Sequence, residues 1–496
     1  MGTVSTRERT SVHPLDLLSA EEIESAATIL RQSNPAFTAA RFVTIGLDEP
    51  PKEQVLAHTD GAAVDRRAFL VVRDSTERKT YEAVVSLSEH RVVSLEHVPE
   101  GQTALTEEDF GNAERMLKED ERWQEAMRKR GVTDFEHVMI DPWPAGYLTD
   151  EDAPTRRLNR PLTYVRYSDD ENGYAHPVEG LLALLDLDRG EVLDVVDHGV
   201  IDIPEAAGDY TQAGMQAEGN VPHYAQPRTD LKPLEITQPE GPSFEVNGYE
   251  VRWQKWRFRV GFTAREGLVL HTVGYEDRGV LRSILYRASI SEMVVPYGDP
   301  TPSHVRKSVF DAGEAGLGVN VNSLTLGCDC LGEIFYFDAV LGDLDGKAQV
   351  VKNAICMHEE DYGVLWKHTD FRTGKVEVRR SRRLVISTFM TLANYDYGLF
   401  WYLYQDGTIQ CEVKLTGIMS MGAHHEGDDP QHGVKCAPGL YAPHHQHFFN
   451  ARLDMAVDGH RNTIVEVDSV PDPLGPENPY GNAWRAVPTQ LTRESE

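Results

Sequence analysis

From about Phe244 onward the chain shows almost no helical periodicity, and short apolar or aromatic runs recur with turn signals between them. The stretch Trp401-Tyr402-Leu403-Tyr404-Gln405-Asp406-Gly407-Thr408 shows the pattern, because Asp-Gly supplies the positive backbone angles of a tight hairpin turn. Such a chain buries its apolar residues by pairing strands and stacking the sheets. Residues 243–496 therefore read as a large, mostly antiparallel β-sandwich.

The preceding part has a different texture. Ser19 followed by Glu22 makes a capping box, and Ile23, Ala26, Ala27 and Leu30 then share one helical face. Strand-like runs follow at 40–47, 68–73, 81–87 and 91–98. A second helical region is expected over 106–130, with strands at 137–140, 162–167, 181–187 and 192–196. A helix followed by strands thus occurs twice, which predicts two small α+β accessory domains, 1–100 and 101–205. Proline, glycine and polar residues mark 206–242 as a linker. The expected fold class is α+β N-terminal domains followed by a large, mostly antiparallel β-sandwich.

Composition narrows the function classes. With 40% hydrophobic and 26% charged residues, the chain has the balance of a globular protein. A net charge of -30 disfavours nucleic acid and anionic lipid as partners and steers cations, such as a protonated amine, toward the surface. No apolar run approaches the ~20 residues of a membrane span. Residues 1–14 lack the apolar core of a secretory signal, so a cytoplasmic location is expected. The five cysteines, at 328, 330, 356, 411 and 436, fit no zinc spacing and are too few for a disulfide scaffold, though one bridge is allowed.

Two clusters carry chemistry. Thr391-Leu392-Ala393-Asn394-Tyr395-Asp396-Tyr397 follows an apolar strand, and Pro443-His444-His445-Gln446-His447-Phe448 comes later. On a strand, residues i and i+2 face the same way, so His445 and His447 can present two imidazoles to one metal ion. Imidazole suits copper, zinc, nickel or iron, and the pair alone does not name the metal. The tract around His424, His425 and His432, with its Gly, Asp and Pro neighbours, reads as a surface cluster.

Together these clusters resemble the copper amine oxidases. That family carries Thr-x-x-Asn-Tyr-Asp/Glu, whose tyrosine becomes a topaquinone, and a His-x-His copper pair about fifty residues later; here Tyr395 and His445 are fifty apart. Val294-Val295-Pro296-Tyr297-Gly298-Asp299-Pro300 resembles the segment whose tyrosine hydrogen-bonds the quinone. Phe310-Asp311-Ala312-Gly313-Glu314 resembles the segment of the catalytic base. Gly327-Cys328-Asp329-Cys330-Leu331-Gly332 and the segment around Cys356 also have counterparts, and there the resemblance implies a disulfide between Cys330 and Cys356. It implies copper at His445 and His447, and a second metal, calcium or manganese, at Asp454 and the Met455 carbonyl. The implied activity is oxidative deamination: a primary amine attacks the quinone formed from Tyr395, Asp311 removes the α-proton, and an aldehyde, ammonia and hydrogen peroxide leave. Asn394 and Asp396 flank the ring and restrict its orientation.

The family has three copper-binding histidines, the third lying far beyond the pair, whereas His460 is the last histidine here. A fragment of an active oxidase, a non-catalytic homologue, and an unusual site completed by His444 or His460 are the resulting readings. A β-sandwich metalloenzyme without quinone is a further alternative, one that leaves Asn394-Tyr395-Asp396 unexplained. Val309 and Ala315, near the base, imply a wide channel and aromatic monoamine substrates. The family is homodimeric, and residues 420–439 are expected in a hairpin arm reaching across the dimer.

Overall fold

The computed structural model describes residues 12–146, 156–168, 171–205, 208–216, 228–493 and 495. Most of residues 1–14 and part of the expected linker lie outside them.

The first helix, Ala20–Ser33, begins at Ser19, whose side chain accepts from the Glu22 N–H while Glu22 answers to the Ser19 N–H. Its face of Ile23, Ala26, Ala27 and Leu30 is buried on a four-stranded antiparallel sheet, Arg41–Leu47, Arg67–Asp74, Lys79–Ser86 and Arg91–His97. The single helix expected over 106–130 is in fact two, Glu107–Glu119 and Glu121–Lys129. Asp120 is the reason: its carboxylate accepts from the N–H groups of Arg122 and Trp123, capping the second helix and ending the first. Trp123 and Met127 pack both helices onto two small sheets, one of two strands and one of three. Among the described linker residues the only helix is Gln212–Gln216.

The sandwich is two antiparallel sheets. The first runs Phe244–Asn247, Glu250–Trp253, Trp256–Thr263, Gly267–Asp277, Val280–Pro296 and Ser308–Phe310, with Phe448–Met455 added beside Val280–Pro296. The second runs Phe335–Gly342, Ala348–Thr369, Val376–Leu392, Tyr395–Tyr404 and Ile409–Gly417. Trp253, Trp256 and Phe258 of the first meet Ile355, Met357, Ile386 and Trp401 of the second in the largest apolar core. Two indoles fasten the sheets to each other while satisfying their own buried N–H groups. Trp253 Nε1 donates to Glu359 Oε1 at 2.8 Å and Trp256 Nε1 to the Tyr404 carbonyl at 2.7 Å. No helix among the described residues is long and apolar enough to cross a membrane.

Residues 420–439 do not form an arm. Gly422–Ala423, Gly433–Ala437 and Leu440–Pro443 make a three-stranded sheet whose first strand is anchored inside, the Ala423 N–H donating to the buried Glu179, while Gly433–Ala437 is largely exposed. Exposed hairpins occur elsewhere: the far ends of Ala348–Thr369 and Val376–Leu392, with Trp366 and Phe371 in solvent, and the pair Ile464–Pro471 and Trp484–Leu491.

One strand organises the rest. Near its end, Val280–Pro296 is paired on both sides, Val294 facing Phe310 on one flank and Phe448 on the other. Proline at 294 removes a ladder donor where no edge exists to absorb the loss. Val294→Pro is expected to cost about 3 kcal/mol or more of unfolding free energy, read by urea denaturation.

Candidate active site

Tyr395 opens the strand Tyr395–Tyr404 after a two-residue turn, since Leu392 pairs with Tyr395 across Ala393 and Asn394. Ala393 takes φ +52°, a left-handed conformation that costs a non-glycine residue about 1 kcal/mol or more. Asn394 holds the turn closed: its Nδ2 donates to the Ile418 carbonyl at 2.6 Å, and the Ile418 N–H donates back to the Asn394 carbonyl. Asn394 therefore fixes the backbone under Tyr395. Asp396 is turned to Thr391, whose hydroxyl donates to it at 2.5 Å. Gly417, at φ +104°, lies so close that a Cβ would stand 2.7 Å from the Asn394 carbonyl and 2.8 Å from Tyr395 Cα.

The histidine pair does not lie inside a regular strand. Residues 444–447 link Leu440–Pro443 to Phe448–Met455, and His445 forms an isolated bridge with Tyr297. The imidazoles nevertheless converge, with ring centroids 5.1 Å apart. His445 Nδ1 lies 2.8 Å from the Pro443 carbonyl, an acceptor only, so Nδ1 carries the hydrogen and Nε2 keeps its lone pair. The Tyr395 hydroxyl sits 3.0 Å from that Nε2. His447 Nδ1 meets the Tyr397 hydroxyl at 3.2 Å, which leaves its Nε2 open. Burial lowers the pKa of both rings, that of His447 to about 4, so both are neutral near pH 7, as metal ligation requires.

Tyr297 stacks on His445, centroids 4.4 Å apart and planes 14° from parallel. Its hydroxyl is buried beside those of Tyr395 and Ser420, and burial, then the neighbouring Tyr395, raises its pKa well above that of a free phenol. Asp311 begins a single wide turn, Asp311–Ala315, directly after Ser308–Phe310. Its carboxyl is buried, which together with Glu314 and Glu292 pushes its pKa up to about 7. Asp311, Tyr297, Tyr395 and Tyr397 line one large cavity, of about 1620 Å³, that also takes in Val309 and Ala315.

Two side chains carried no sequence signal. Lys307, four residues before Asp311, is buried with its Nζ 4.3 Å from the Tyr297 ring centre and 4.6 Å from that of Trp143, donating to Ser420 Oγ at 2.6 Å. Burial brings its pKa down to about 7. Trp143 comes from the second accessory domain and meets Tyr297 edge-on at 5.9 Å, giving the cavity an aromatic wall that Val309 and Ala315 do not. A small-residue reading of the channel from those two positions was therefore incomplete.

Other expected ligands lie elsewhere. His460 packs edge-on against Tyr286 and makes no contact with the Tyr395 group, and His444 is exposed. Among the described residues, no third His, Cys, Asp or Glu joins His445 and His447 in a ligand cluster. Asp454 is paired with Lys52 Nζ at 2.5 Å, and the Met455 carbonyl accepts from Asn462, so both oxygens have protein donors. The disulfide expected between Cys330 and Cys356 is not formed: both are buried and free, their sulfurs side by side, with His358 Nδ1 3.4 Å from Cys356 Sγ. His424, expected at the surface, is buried against Tyr441; His425 and His432 are exposed.

Comparison with known proteins gives this geometry its context. The family model "Copper amine oxidase, enzyme domain" matches residues 245–496, its "N3 domain" matches 108–213, and the "AGAO-like N2 domain" matches 19–95. A primary amine oxidase of Arthrobacter sp. (strain P1) is 45% identical over 98% of this chain and 72% of its own length. A copper-containing diamine oxidase of Nicotiana tabacum is 43% identical over 99% of this chain and 67% of its own. The crystal structure of a copper-containing benzylamine oxidase from Hansenula polymorpha superposes with a TM-score of 0.85 at 30% identity, over 97% of this chain and 76% of that one. The chain belongs to the copper amine oxidase family, whose members deaminate primary amines oxidatively with copper and a quinone.

Proposed function

We propose that Tyr395 is the tyrosine converted to topaquinone, that His445 and His447 hold the copper, and that Asp311 is the base that takes the α-proton of the amine. The observation that carries this reading is the 3.0 Å approach of the Tyr395 hydroxyl to the unprotonated Nε2 of His445. The donors suit copper: two neutral imidazoles, two of the three the family uses, beside a phenol whose hydroxyl stands against His445 Nε2. When bound, copper makes the phenol reactive toward dioxygen, and the quinone derived from it supplies an electrophilic carbonyl.

The chain's own groups do the rest. Tyr297 brings a buried hydroxyl beside that of Tyr395, a donor for an oxygen on the ring of residue 395. Asn394 and Gly417 fix the backbone from which that ring projects. Asp311, in the same cavity, is half ionised near neutrality, which matches a base to its operating pH.

The substrate class is a primary amine with an aromatic or bulky tail, supported by the small Val309 and Ala315 and the aromatic face of Trp143. A homodimer is supported by the exposed apolar side chains of the two hairpins, Phe371, Ile464 and Trp484 among them. Calcium or manganese at Asp454 and Met455 requires Lys52 and Asn462 to give up the oxygens they now hold.

Incubation of the protein with Cu(II) and oxygen is expected to produce a redox-cycling quinone stain and a visible band, both missing from Tyr395→Phe and from an anaerobic control. Copper-loaded protein with Tyr395 intact and no quinone would sink the proposal.

Asp311 also leaves a signature independent of turnover. With its pKa raised to about 7, the folded state keeps a proton that the unfolded state releases near pH 4, so this residue's contribution to stability falls as pH rises from about 4 to 7. Asp311→Asn is therefore expected to be inactive yet more stable than wild type at pH 8, by a few kcal/mol at most. Below about pH 4 the gap should close. Urea denaturation at the two pH values reads the difference.

A further inference from the structure

Asp311 lies between two carboxylates that the reaction scheme does not use. Glu292, on the strand Val280–Pro296, accepts the Ala312 N–H at 2.8 Å through Oε1. Glu314, at the far side of the turn, accepts the Phe310 N–H at 2.7 Å through Oε2. The residues immediately before and after Asp311 are thus each gripped by a carboxylate. Backbone N–H groups can be satisfied by neutral acceptors, and carboxylates beside a third acidic group repel it; burial, then Glu292, raises the Glu314 pKa as well, so the three groups share that repulsion. That arrangement costs stability, which makes its concentration around one residue informative.

The surroundings sharpen this. The cation paired with Glu292 is Arg265, whose guanidinium lies 3.0 Å from Oε2, the oxygen that does not take the Ala312 N–H, and stands over Gly313. The Arg265 side chain is 60% exposed, so water screens it, whereas that of Glu292 is only 17% exposed. From the opposite sheet the titratable group facing Asp311 is Tyr397, a phenol that stays neutral near pH 7. The Glu314 backbone carbonyl accepts the Leu105 N–H at 2.8 Å, which ties the turn to the second accessory domain. Nothing cationic therefore meets the Asp311 carboxyl directly among these neighbours.

We propose that Glu292 and Glu314 are positioning residues for the base, holding the backbone on either side of Asp311 and surrounding its carboxyl with negative charge. The inference rests on Asp311 being the base. Both effects serve one end: the carboxyl is fixed toward the cavity, and it holds the abstracted proton more tightly than an isolated aspartate does.

Glutamine separates the two effects, because its carbonyl still accepts the backbone N–H while the charge is gone. The test follows protonation of Asp311 in the full chain without copper, as the carboxyl stretch isolated by subtracting the infrared spectrum of Asp311→Asn at each pH. The titration midpoint, near 7 in the wild type, is expected to fall by about one pH unit in Glu292→Gln or Glu314→Gln, and further in the double variant. Arg265→Gln changes an exposed side chain and should move the midpoint the other way. In copper-loaded, quinone-containing enzyme, the acid limb of kcat/KM should shift by the same amount as the infrared midpoint, with a lower plateau from the weaker base. A purely structural role would lower the plateau and leave the limb in place. Midpoints unchanged in all three folded variants would overturn the inference. Retained amine turnover by Asp311→Asn would instead overturn the assignment of the base, a result the infrared titration does not depend on.

Discussion

The active site hangs on the double pairing of Val280–Pro296. Tyr297 follows directly from the end of this strand, Asp311 follows from its partner Ser308–Phe310, and the histidine pair leads into its other partner Phe448–Met455. Tyr297 and Asp311, 14 residues apart, are thereby brought together with a histidine pair more than a hundred residues further on. The pairing continues past the strand: the Gly298 N–H donates to the His444 carbonyl at 2.8 Å and the Gln446 N–H to the Pro296 carbonyl at 3.2 Å. A slip of one residue in either ladder would turn every side chain to the other face. Buried residues such as Met293 and Val295 penalise that slip, so core packing and site geometry are enforced together.

The fourth segment, with Tyr395, belongs to the other sheet, and the core between the sheets sets its distance. This explains why Trp253 and Trp256, remote from the chemistry, matter to it. Their indoles lock the two sheets through Glu359 and the Tyr404 carbonyl, and Tyr404 ends the strand that Tyr395 begins. Within the site, burial does opposite things to opposite groups. Asp311 is pushed up to about 7 and Lys307 down to about 7, because a dry environment disfavours either charge. Asp311 lines the Tyr395 cavity, whereas Lys307 stands behind Tyr297 with its Nζ on Ser420 Oγ.

Much of this was legible in the sequence wherever the signal is local. The capping box at Ser19 and the apolar face of the first helix depend on neighbours within four residues, and both stand as read. The sandwich was legible because the loss of helical period and the Asp-Gly turn are also local. The residues around Tyr395, Asp311 and the histidines were found through their ordered motifs. What was not legible depends on pairing across long intervals. Asp120 interrupts a helical pattern by capping, a choice that hydrophobic period cannot register. His445 and His447 were expected on a strand but sit on an extended link, held there by Tyr297 and Pro443. Lys307 and Trp143 become functional neighbours only because the second accessory domain packs against the sandwich. Residues 420–439 have the composition of an exposed loop, yet Ser420 and Ala423 are engaged from within.

The turn before Tyr395 shows what the site demands of its backbone. Ala393 in a left-handed conformation and a glycine at 417 are both departures from what strands prefer. They act on the same atoms: Gly417 lets its strand approach Tyr395 Cα, and the reciprocal bonds between Asn394 and Ile418 keep it there. With the Cα fixed, the position of the Tyr395 hydroxyl depends on two side-chain torsions, and the ring is only partly buried. Its hydroxyl is held weakly, by the Ser420 N–H at 3.3 Å and by His445. Strain is thus concentrated in the main chain, while the rings of Tyr397, His445 and His447 pack around that of Tyr395.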